Sequence, residues 1–179
     1  MTPSIRILAI SGSLRAGSSN SVLIRAAAHL SPHGVVVEVF DGLDSLPHFN
    51  PDLDVDPPPA SVAAFRRKLS ESDAVLICSP EYAHGVPGVL KNALDWIVSS
   101  GELVDKPAGL INASARATIA QASLTETVTM LSAVVVAEAS PVIALTGRDL
   151  DEDGLAADPV LGPALAAALL ALSQAAPRK

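Results

Sequence analysis

A serine- and glycine-rich segment, SGSLRAGSSN at positions 11–20, holds the residues of this sequence best suited to binding chemistry. It follows an apolar run and precedes a helical pattern, which places hydroxyl and backbone N–H groups at the start of a helix. Such a start attracts anions, because its N–H groups have no partners within the helix and the helix dipole is positive there. Arg15 can add charge-assisted hydrogen bonds to a phosphate. We therefore predict a phosphate site formed by Ser11, Ser13, Arg15, Ser18, Ser19, Asn20 and Ser21.

The spacing within this segment separates it from two well-known phosphate loops. A dinucleotide-binding loop needs G-x-G-x-x-G, but Ser13 occupies the position of the second glycine. A nucleoside-triphosphate loop needs a lysine after its last glycine, and Ser18 stands there instead. The remaining interpretation is a site for one terminal phosphate, such as that of FMN. An ordinary Ser/Gly loop that only caps its own helix stays open as the alternative.

Alternating apolar runs and helical patterns must position this segment. The apolar runs predict strands over 5–10, 35–40, 74–78 and 107–112, and the start of a fifth strand at 134–136. Helical patterns follow Asn20 and cover about 60–72, a stretch that begins near Pro87, about 118–131 and about 159–174. This order predicts an α/β fold in which helices cover both faces of a parallel sheet. The composition agrees, since 49% of the residues are hydrophobic but only 3% are aromatic.

These patterns also predict structural roles for several individual side chains. Asn20 is expected to cap the first helix, and Pro87 suits the first turn of the third, where a missing N–H is tolerated. The basic run at 66–68 is interpreted as a solvated helix face. Trp96 is assigned either to the core or to a subunit interface, and Cys78, within an apolar strand, to the core as a small hydrophobic residue.

Ligands of parallel α/β sheets bind beyond the carboxyl ends of the strands. Segments 11–20, 79–87 and 112–118 should therefore meet. The second of these opens the stretch SPEYAHGVPGVLKNALDW, residues 79–96. Together with GSLRxxSxN, read at Gly12, Ser13, Leu14, Arg15, Ser18 and Asn20, this stretch closely resembles the NADPH-dependent FMN reductase family of flavodoxin-like proteins.

The resemblance implies one flavodoxin-like, doubly wound domain over 1–179, with a five-stranded parallel sheet in the order 2-1-3-4-5. It implies that FMN places its phosphate in the first loop and its ring along the second. Hydride would pass from NADPH or NADH through FMN to a flavin, a quinone or another small acceptor, in a homodimer or homotetramer. A flavodoxin-type electron carrier without its own NAD(P)H turnover is the alternative. The further FMN-binding residues implied are Pro80, Glu81, Tyr82, Ala83, His84, Gly85, Ser114 and Arg116.

The chain departs from the family in its second and third loops. Relatives often carry Asn and Ser where this chain has Ala83 and Gly85, which puts one contact to the flavin or nicotinamide in doubt. Arg116 is assigned either to flavin or NADPH phosphate binding or to the plain surface. Glu81 is expected to brace its loop or a subunit contact, and Glu81 with His84 lacks a third ligand for a metal site.

The net charge and the cysteine content indicate which binding partners and which cellular compartment to expect. The net charge of -7 and the pI near 4.9 argue against nucleic-acid and anionic-membrane surfaces, which require clustered basic residues. Cys78 is the only cysteine, so an internal disulfide is excluded. The N-terminal residues lack the pattern of a signal peptide, and a reducing cytoplasm is expected.

Overall fold

A computed structural model of the protein describes residues 4–145 and 147–177. The strands are β1 (Ile5–Ser11), β2 (Val35–Phe40), β3 (Ala74–Cys78), β4 (Pro107–Ile111) and β5 (Val134–Val135). The helices are α1 (Ser19–His29), α2 (Ala60–Glu71), α3 (Gly88–Asp95), α4 (Thr118–Met130), α5 (Glu152–Ala157) and α6 (Leu161–Ala175). Short 3-10 turns at Leu43–Ser45, Pro51–Leu53 and Ala137–Ala139 complete the described elements.

The five strands form one parallel sheet in the order β2-β1-β3-β4-β5. Ser11 at the end of β1 lies in register with Cys78 at the end of β3, and Cys78 lies in register with Ile111 at the end of β4. The carboxyl ends of the three central strands are therefore level with one another. This register brings the loops that follow them to one edge of the sheet, as predicted, and the predicted strand order is confirmed.

Alternate residues of the central strands point into two separate hydrophobic cores. Leu76 packs with residues of α1, α5 and α6 on one face of the sheet, and Ile77 packs with residues of α2, α3 and α4 on the other. Every residue of β3 and β4 is buried, as expected for strands covered on both sides. Helices on both faces are thus confirmed.

Local boundaries differ from the sequence prediction where side-chain chemistry was misjudged. Ser18, not Asn20, caps α1, because its hydroxyl accepts from the Asn20 N–H at 3.2 Å. Pro87 precedes α3 as its N-cap rather than lying in its first turn, with an extended ψ of 138°. Helix α5, which is only six residues long, was not predicted, and β5 ends after Val135.

The long connection between β2 and α2 is attached to the body of the protein by buried polar contacts. The Arg66 side chain, 15% exposed, donates to Asp54 at 2.7 Å and to the carbonyl of Trp96 at 3.0 Å. The Trp96 ring is fully buried and donates to the carbonyl of Pro47 at 2.8 Å. Trp96 is therefore a core residue, and the interpretation of Arg66 as part of a solvated face was wrong, because its partners lie far away in sequence.

Candidate functional site

A cavity of about 470 Å³ lies at the carboxyl edge of the sheet, where the loops after β1, β3 and β4 meet. Its volume falls within the roughly 300–1,000 Å³ of typical small-molecule sites. All three segments that the sequence analysis singled out contribute to its wall. The lining residues are Arg15, Ser18, Ser19, Asn20, Ser79, Pro80, Glu81, Tyr82, Asn112, Ala113, Ser114, Arg116 and Ala117.

The N-terminus of α1 opens onto this cavity without an acidic residue in its first turn. The Ser18 hydroxyl oxygen accepts from both the backbone N–H and the side-chain amide of Asn20, each at 3.2 Å. A hydroxyl oxygen has two lone pairs, so its own proton remains available to donate. The end of the helix therefore combines a positive dipole with an available O–H donor, which suits an anion.

Asn20 connects this helix start to the end of β3. Its side-chain oxygen accepts from the Cys78 thiol at 3.2 Å, while its amide nitrogen holds Ser18. Burial raises the pKa of the Cys78 thiol, so the thiol stays protonated and keeps donating. Cys78 is buried in the core as expected, but its hydrogen bond was not foreseen, because β3 and α1 are distant in sequence.

Two arginines supply positive charge to the cavity of this acidic chain. Arg15 comes from the first loop and Arg116 from the third, and both are exposed and line the wall. Within residues 4–145 and 147–177, neither forms an ion pair with a carboxylate. Both guanidinium groups are thus available for an anionic ligand.

Glu81 joins the second loop to the helix that follows the third. Its carboxylate accepts from the Ala120 N–H, in the first turn of α4, at 2.8 Å. The carboxylate thus lies at the positive end of α4, which is a favourable position for a negative charge. This contact confirms that Glu81 braces its loop.

A tight turn in the second loop is held by two reciprocal backbone hydrogen bonds. The Tyr82 N–H donates to the Gly85 carbonyl at 3.1 Å, and the Gly85 N–H donates to the Tyr82 carbonyl at 3.0 Å. The two central residues, Ala83 and His84, have φ values of 50° and 60°, in the left-handed region. This is the geometry of a type I′ turn, which favours Asn and Gly, so both residues are strained.

Tyr82 lies where the first and second loops approach each other. The residue is 56% exposed, and its hydroxyl is 3.5 Å from the Ser13 hydroxyl. Close approach of the two loops also depends on Gly12, because a Cβ there would lie 3.0 Å from side-chain atoms of Ser79 and Leu90. An exposed aromatic face therefore borders the wall of the cavity.

The third loop is organised by Asn112, which is 3% exposed. Its side chain accepts from the Ser114 N–H and donates to the Ala117 carbonyl, both at 2.9 Å. Both neighbours line the cavity. Asn112 was not among the predicted site residues, although an asparagine that directly follows a buried strand indicates a side chain able to organise the following loop.

The structure brings most, but not all, of the predicted site residues to this cavity. Those that line it are Arg15, Ser18, Ser19, Asn20, Pro80, Glu81, Tyr82, Ser114 and Arg116. Ser11, Ser13 and Ser21 instead line a neighbouring cavity, on the side of β2. Ala83, His84 and Gly85 form the strained turn and line neither cavity. Ser79, Asn112, Ala113 and Ala117 line the first cavity without having been predicted.

Two further findings concern metal ligands and membrane-spanning helices. Among the described residues, no group of three or more His, Cys, Asp or Glu side chains is arranged to hold a metal ion. In the same part of the chain, no helix has the length and apolar character needed to cross a membrane.

The five-stranded parallel sheet in the order 2-1-3-4-5, with helices on both faces, defines a flavodoxin-like α/β protein. The chain belongs to the NADPH-dependent FMN reductase family, whose sequence profile matches residues 5–146. This confirms the resemblance inferred from the two loop motifs.

Individual relatives agree with this family. The chain is 40% identical over 117 residues to the NAD(P)H-dependent FMN reductase PA1204 of Pseudomonas aeruginosa, covering 64% of this chain and 63% of that one. It is 44% identical over 115 residues to the NADPH:quinone oxidoreductase of Arabidopsis thaliana, covering 62% and 58% of the two chains. The matched region thus spans less than two thirds of either relative.

A solved structure agrees over nearly the whole chain. FerB, a flavoenzyme NAD(P)H:(acceptor) oxidoreductase from Paracoccus denitrificans, superposes with a TM-score of 0.75 at 26% identity. The alignment covers 95% of this chain and 96% of that one.

Proposed function

We propose that this protein is an NAD(P)H-dependent flavin oxidoreductase that would hold FMN in this cavity, where the flavin would supply hydride transfer from NAD(P)H to a flavin, a quinone or another small acceptor. The observation that carries the proposal is the start of α1, where the Ser18 hydroxyl proton has no acceptor among the described residues and Arg15 lines the same wall of the cavity. The relatives described above, whose names include FMN and quinone reductases, support the same activity.

The first loop is suited to the phosphate of FMN. The N-terminus of α1 supplies backbone N–H groups, Ser18 and Ser19 supply hydroxyl groups, and Arg15 supplies a charged donor. Asn20 also lines the cavity, and its hydrogen bonds to Ser18 and Cys78 hold the helix cap in place. These donors offset the long-range repulsion from a chain of net charge -7.

The second and third loops are suited to the planar ring. The second loop lines the cavity with Pro80, Glu81 and Tyr82, and the third loop lines it with Ser114 and Arg116. Fixed N–H donors stabilise negative charge that develops on a ring without having to reorganise. Glu81 keeps the second loop in place by its bond to α4.

A flavodoxin-type electron carrier is the second candidate, and the aromatic content of the site argues against it. Of the aromatic residues in the described chain, only Tyr82 lines the cavity. Phe65 and Trp96 are buried in the core, with Phe40 packed on one and Phe49 on the other. A bound ring would keep one face accessible, as a nicotinamide needs, rather than being covered by aromatic side chains.

The decisive experiment measures flavin uptake and turnover separately. Purified protein titrated with FMN should show the absorbance shift of bound flavin, and should oxidise NADH or NADPH with FMN or a quinone as acceptor. Arg15→Gln should weaken FMN binding by about tenfold while leaving riboflavin binding unchanged, because only the phosphate contact is lost.

Arg67→Gln is the matched control, since Arg67 is an exposed arginine on α2 away from the cavity. It makes the same charge change and should leave FMN binding unchanged. A protein that binds no FMN and oxidises neither NADH nor NADPH would contradict the proposal. A protein that binds FMN but leaves both nucleotides untouched would support the carrier instead.

The proposal also covers the oligomeric state of the protein and its location in the cell. We infer one domain over 1–179 that forms a homodimer or homotetramer, supported by the exposed apolar side chains of Val55, Val98 and Val104 around the end of α3. We infer that it acts in the cytoplasm, where NAD(P)H is maintained, with no nucleic-acid or membrane partner. Light scattering on a sizing column and cell fractionation test these two points.

A further inference from the structure

The outer edge of β4 is paired with backbone near each end but with side chains in the middle. β5 pairs with the first two residues of β4, and the chain returns to this edge at Pro141, whose carbonyl accepts from the Asn112 N–H at 3.2 Å. Between the two pairings the chain forms the 3-10 turn Ala137–Ala139. Leu110 lies between them on β4, so its outward backbone groups need other partners.

Two side chains take the place of a neighbouring strand at Leu110. The Ser140 hydroxyl accepts from the Leu110 N–H at 3.0 Å, and the Gln121 side-chain amide donates to the Leu110 carbonyl at 2.8 Å. Ser140 in turn donates to the Val136 carbonyl at 2.8 Å. Gln121 belongs to the first turn of α4, so its hydrogen bond attaches the start of that helix to the sheet.

The same turn of α4 also holds the second loop. Ala120, the residue before Gln121, is 2% exposed, and its N–H donates to the Glu81 carboxylate at 2.8 Å. Glu81 of the second loop and Ala117, the N-cap of α4, both line the cavity proposed to hold FMN. The spacing between these two walls therefore depends on where the first turn of α4 lies.

Gln121 itself lies outside that cavity. It lines a separate, open groove of about 480 Å³ along α4, together with Thr118 and Thr125, and is not among the residues that line the cavity at the sheet edge. An effect of Gln121 on flavin binding would thus be transmitted by the first turn of α4 rather than by contact with the ligand.

We propose that Gln121 is a positioning residue for the flavin ring. Its hydrogen bond to Leu110 fixes the first turn of α4, and through Ala120 and Glu81 that turn sets the spacing between the second and third loops. The proposal rests on the proposed function, because the ring is the ligand of that same cavity. The first loop is attached to β3 by the separate contact of Asn20 with Cys78, so phosphate binding should not depend on Gln121.

Riboflavin and inorganic phosphate probe the two parts of the cavity separately. Gln121→Met keeps an unbranched side chain but removes the donor, and it should weaken riboflavin binding about tenfold in a fluorescence titration. Inorganic phosphate should shift the amide resonances of Ser18 and Ser19 with the same midpoint in this variant and in the wild type. A phosphate midpoint that moved with the riboflavin affinity would contradict a role confined to the ring.

Gln121→Glu supplies a readout that general destabilisation would not give. At about pH 8 its carboxylate cannot donate to the Leu110 carbonyl, so riboflavin binding should be as weak as in Gln121→Met. At about pH 4.5 the protonated fraction can donate, and the affinity should return to within about threefold of the wild type at the same pH. Gln121→Met should show no such recovery.

Gln174→Glu is the matched control for this charge change. Gln174 is an exposed glutamine of α6, away from the cavity and from α4. The variant should bind riboflavin like the wild type at both pH values. Loss of affinity here equal to that of Gln121→Glu would show that the added charge, and not the hydrogen bond, is responsible.

A double-mutant cycle tests transmission through Glu81. Once Glu81→Ala has removed the contact with α4, adding Gln121→Met should weaken riboflavin binding by less than about twofold more. Fully additive losses would overturn the proposed route.

Hydrogen exchange in the flavin-free protein keeps the two proposals separate. The Ala120 amide should exchange about tenfold faster in Gln121→Met than in the wild type, because its partner Glu81 is held less firmly. Unchanged exchange, or unchanged riboflavin affinity, would overturn the positioning role while FMN uptake by the wild type left the proposed function standing. A wild type that bound neither FMN nor riboflavin would overturn the proposed function, and the exchange comparison would still report on the Gln121 contact.

Discussion

The Cys78 thiol donates a hydrogen bond to the side-chain oxygen of Asn20 across 3.2 Å, joining the end of β3 to the first turn of α1. Asn20 in turn holds Ser18 through its amide nitrogen. Three buried side chains thus fix the helix start that faces the cavity. The position of the candidate phosphate donor is therefore set from the neighbouring strand.

Removing the thiol should destabilise the protein. In Cys78→Ala the Asn20 oxygen loses its donor while staying buried, at a cost of about 1–3 kcal/mol. The unfolding free energy from urea titration, followed by circular dichroism, measures this. Cys78→Ser is the control because a hydroxyl still donates, so it should lose clearly less. Equal losses in the two variants would contradict a role for the hydrogen bond.

Ser18 should affect helix stability and ligand affinity in separable ways. Ser18→Gly keeps a residue that is acceptable at an N-cap, so the unfolding free energy should fall by only a few tenths of a kcal/mol. Loss of the hydroxyl donor to a charged phosphate should weaken FMN binding by about 10- to 100-fold. Fluorescence titration with FMN measures this affinity.

Ser18→Ala is the companion variant, since it removes both the cap and the donor. It should match Ser18→Gly in FMN affinity but cost about 1 kcal/mol more in stability. If FMN affinity instead followed stability across the two variants, Ser18 would act only as a helix cap.

The turn at Ala83 and His84 should gain stability from residues that tolerate positive φ. Ala83→Asn and His84→Gly should each raise the unfolding free energy by about 0.5–1 kcal/mol, because the left-handed conformation costs an ordinary residue about 1–2 kcal/mol. Ala115→Asn is the control at an exposed alanine outside the left-handed region, and it should bring no gain. Urea unfolding compares the three, and no gain in either turn variant would contradict the strain.

Acid should weaken the attachment of the connection between β2 and α2. Hydrogen bonds from Ser99 and Arg66 lower the pKa of Asp54 below its usual value of 3.8. The folded state therefore binds the Asp54 proton less readily than the unfolded state. The stabilisation is present above about pH 4 and is lost as the pH falls through the lowered pKa.

Asp54→Asn removes this titrating group and should flatten that part of the pH profile. The measurement is the unfolding free energy between pH 6 and 3, with Asp52→Asn as the exposed control from the same connection. A profile with the same slope in the wild type and in Asp54→Asn would show that another carboxylate is responsible.

The sequence by itself determined the order of the strands and helices except for the short α5, because apolar spacing within a short segment decides whether that segment suits a strand or a helix. It also placed the candidate anion-binding loop after β1, since a helix start with hydroxyls and an arginine is a local feature. Only the tertiary structure decided which distant partners these residues meet. Three hydrogen bonds show this: Cys78 to Asn20, the Ala120 N–H at the start of α4 to Glu81, and Arg66 to Asp54. They form because sheet order and helix packing bring segments that are distant in sequence together. Local sequence patterns do not predict such contacts.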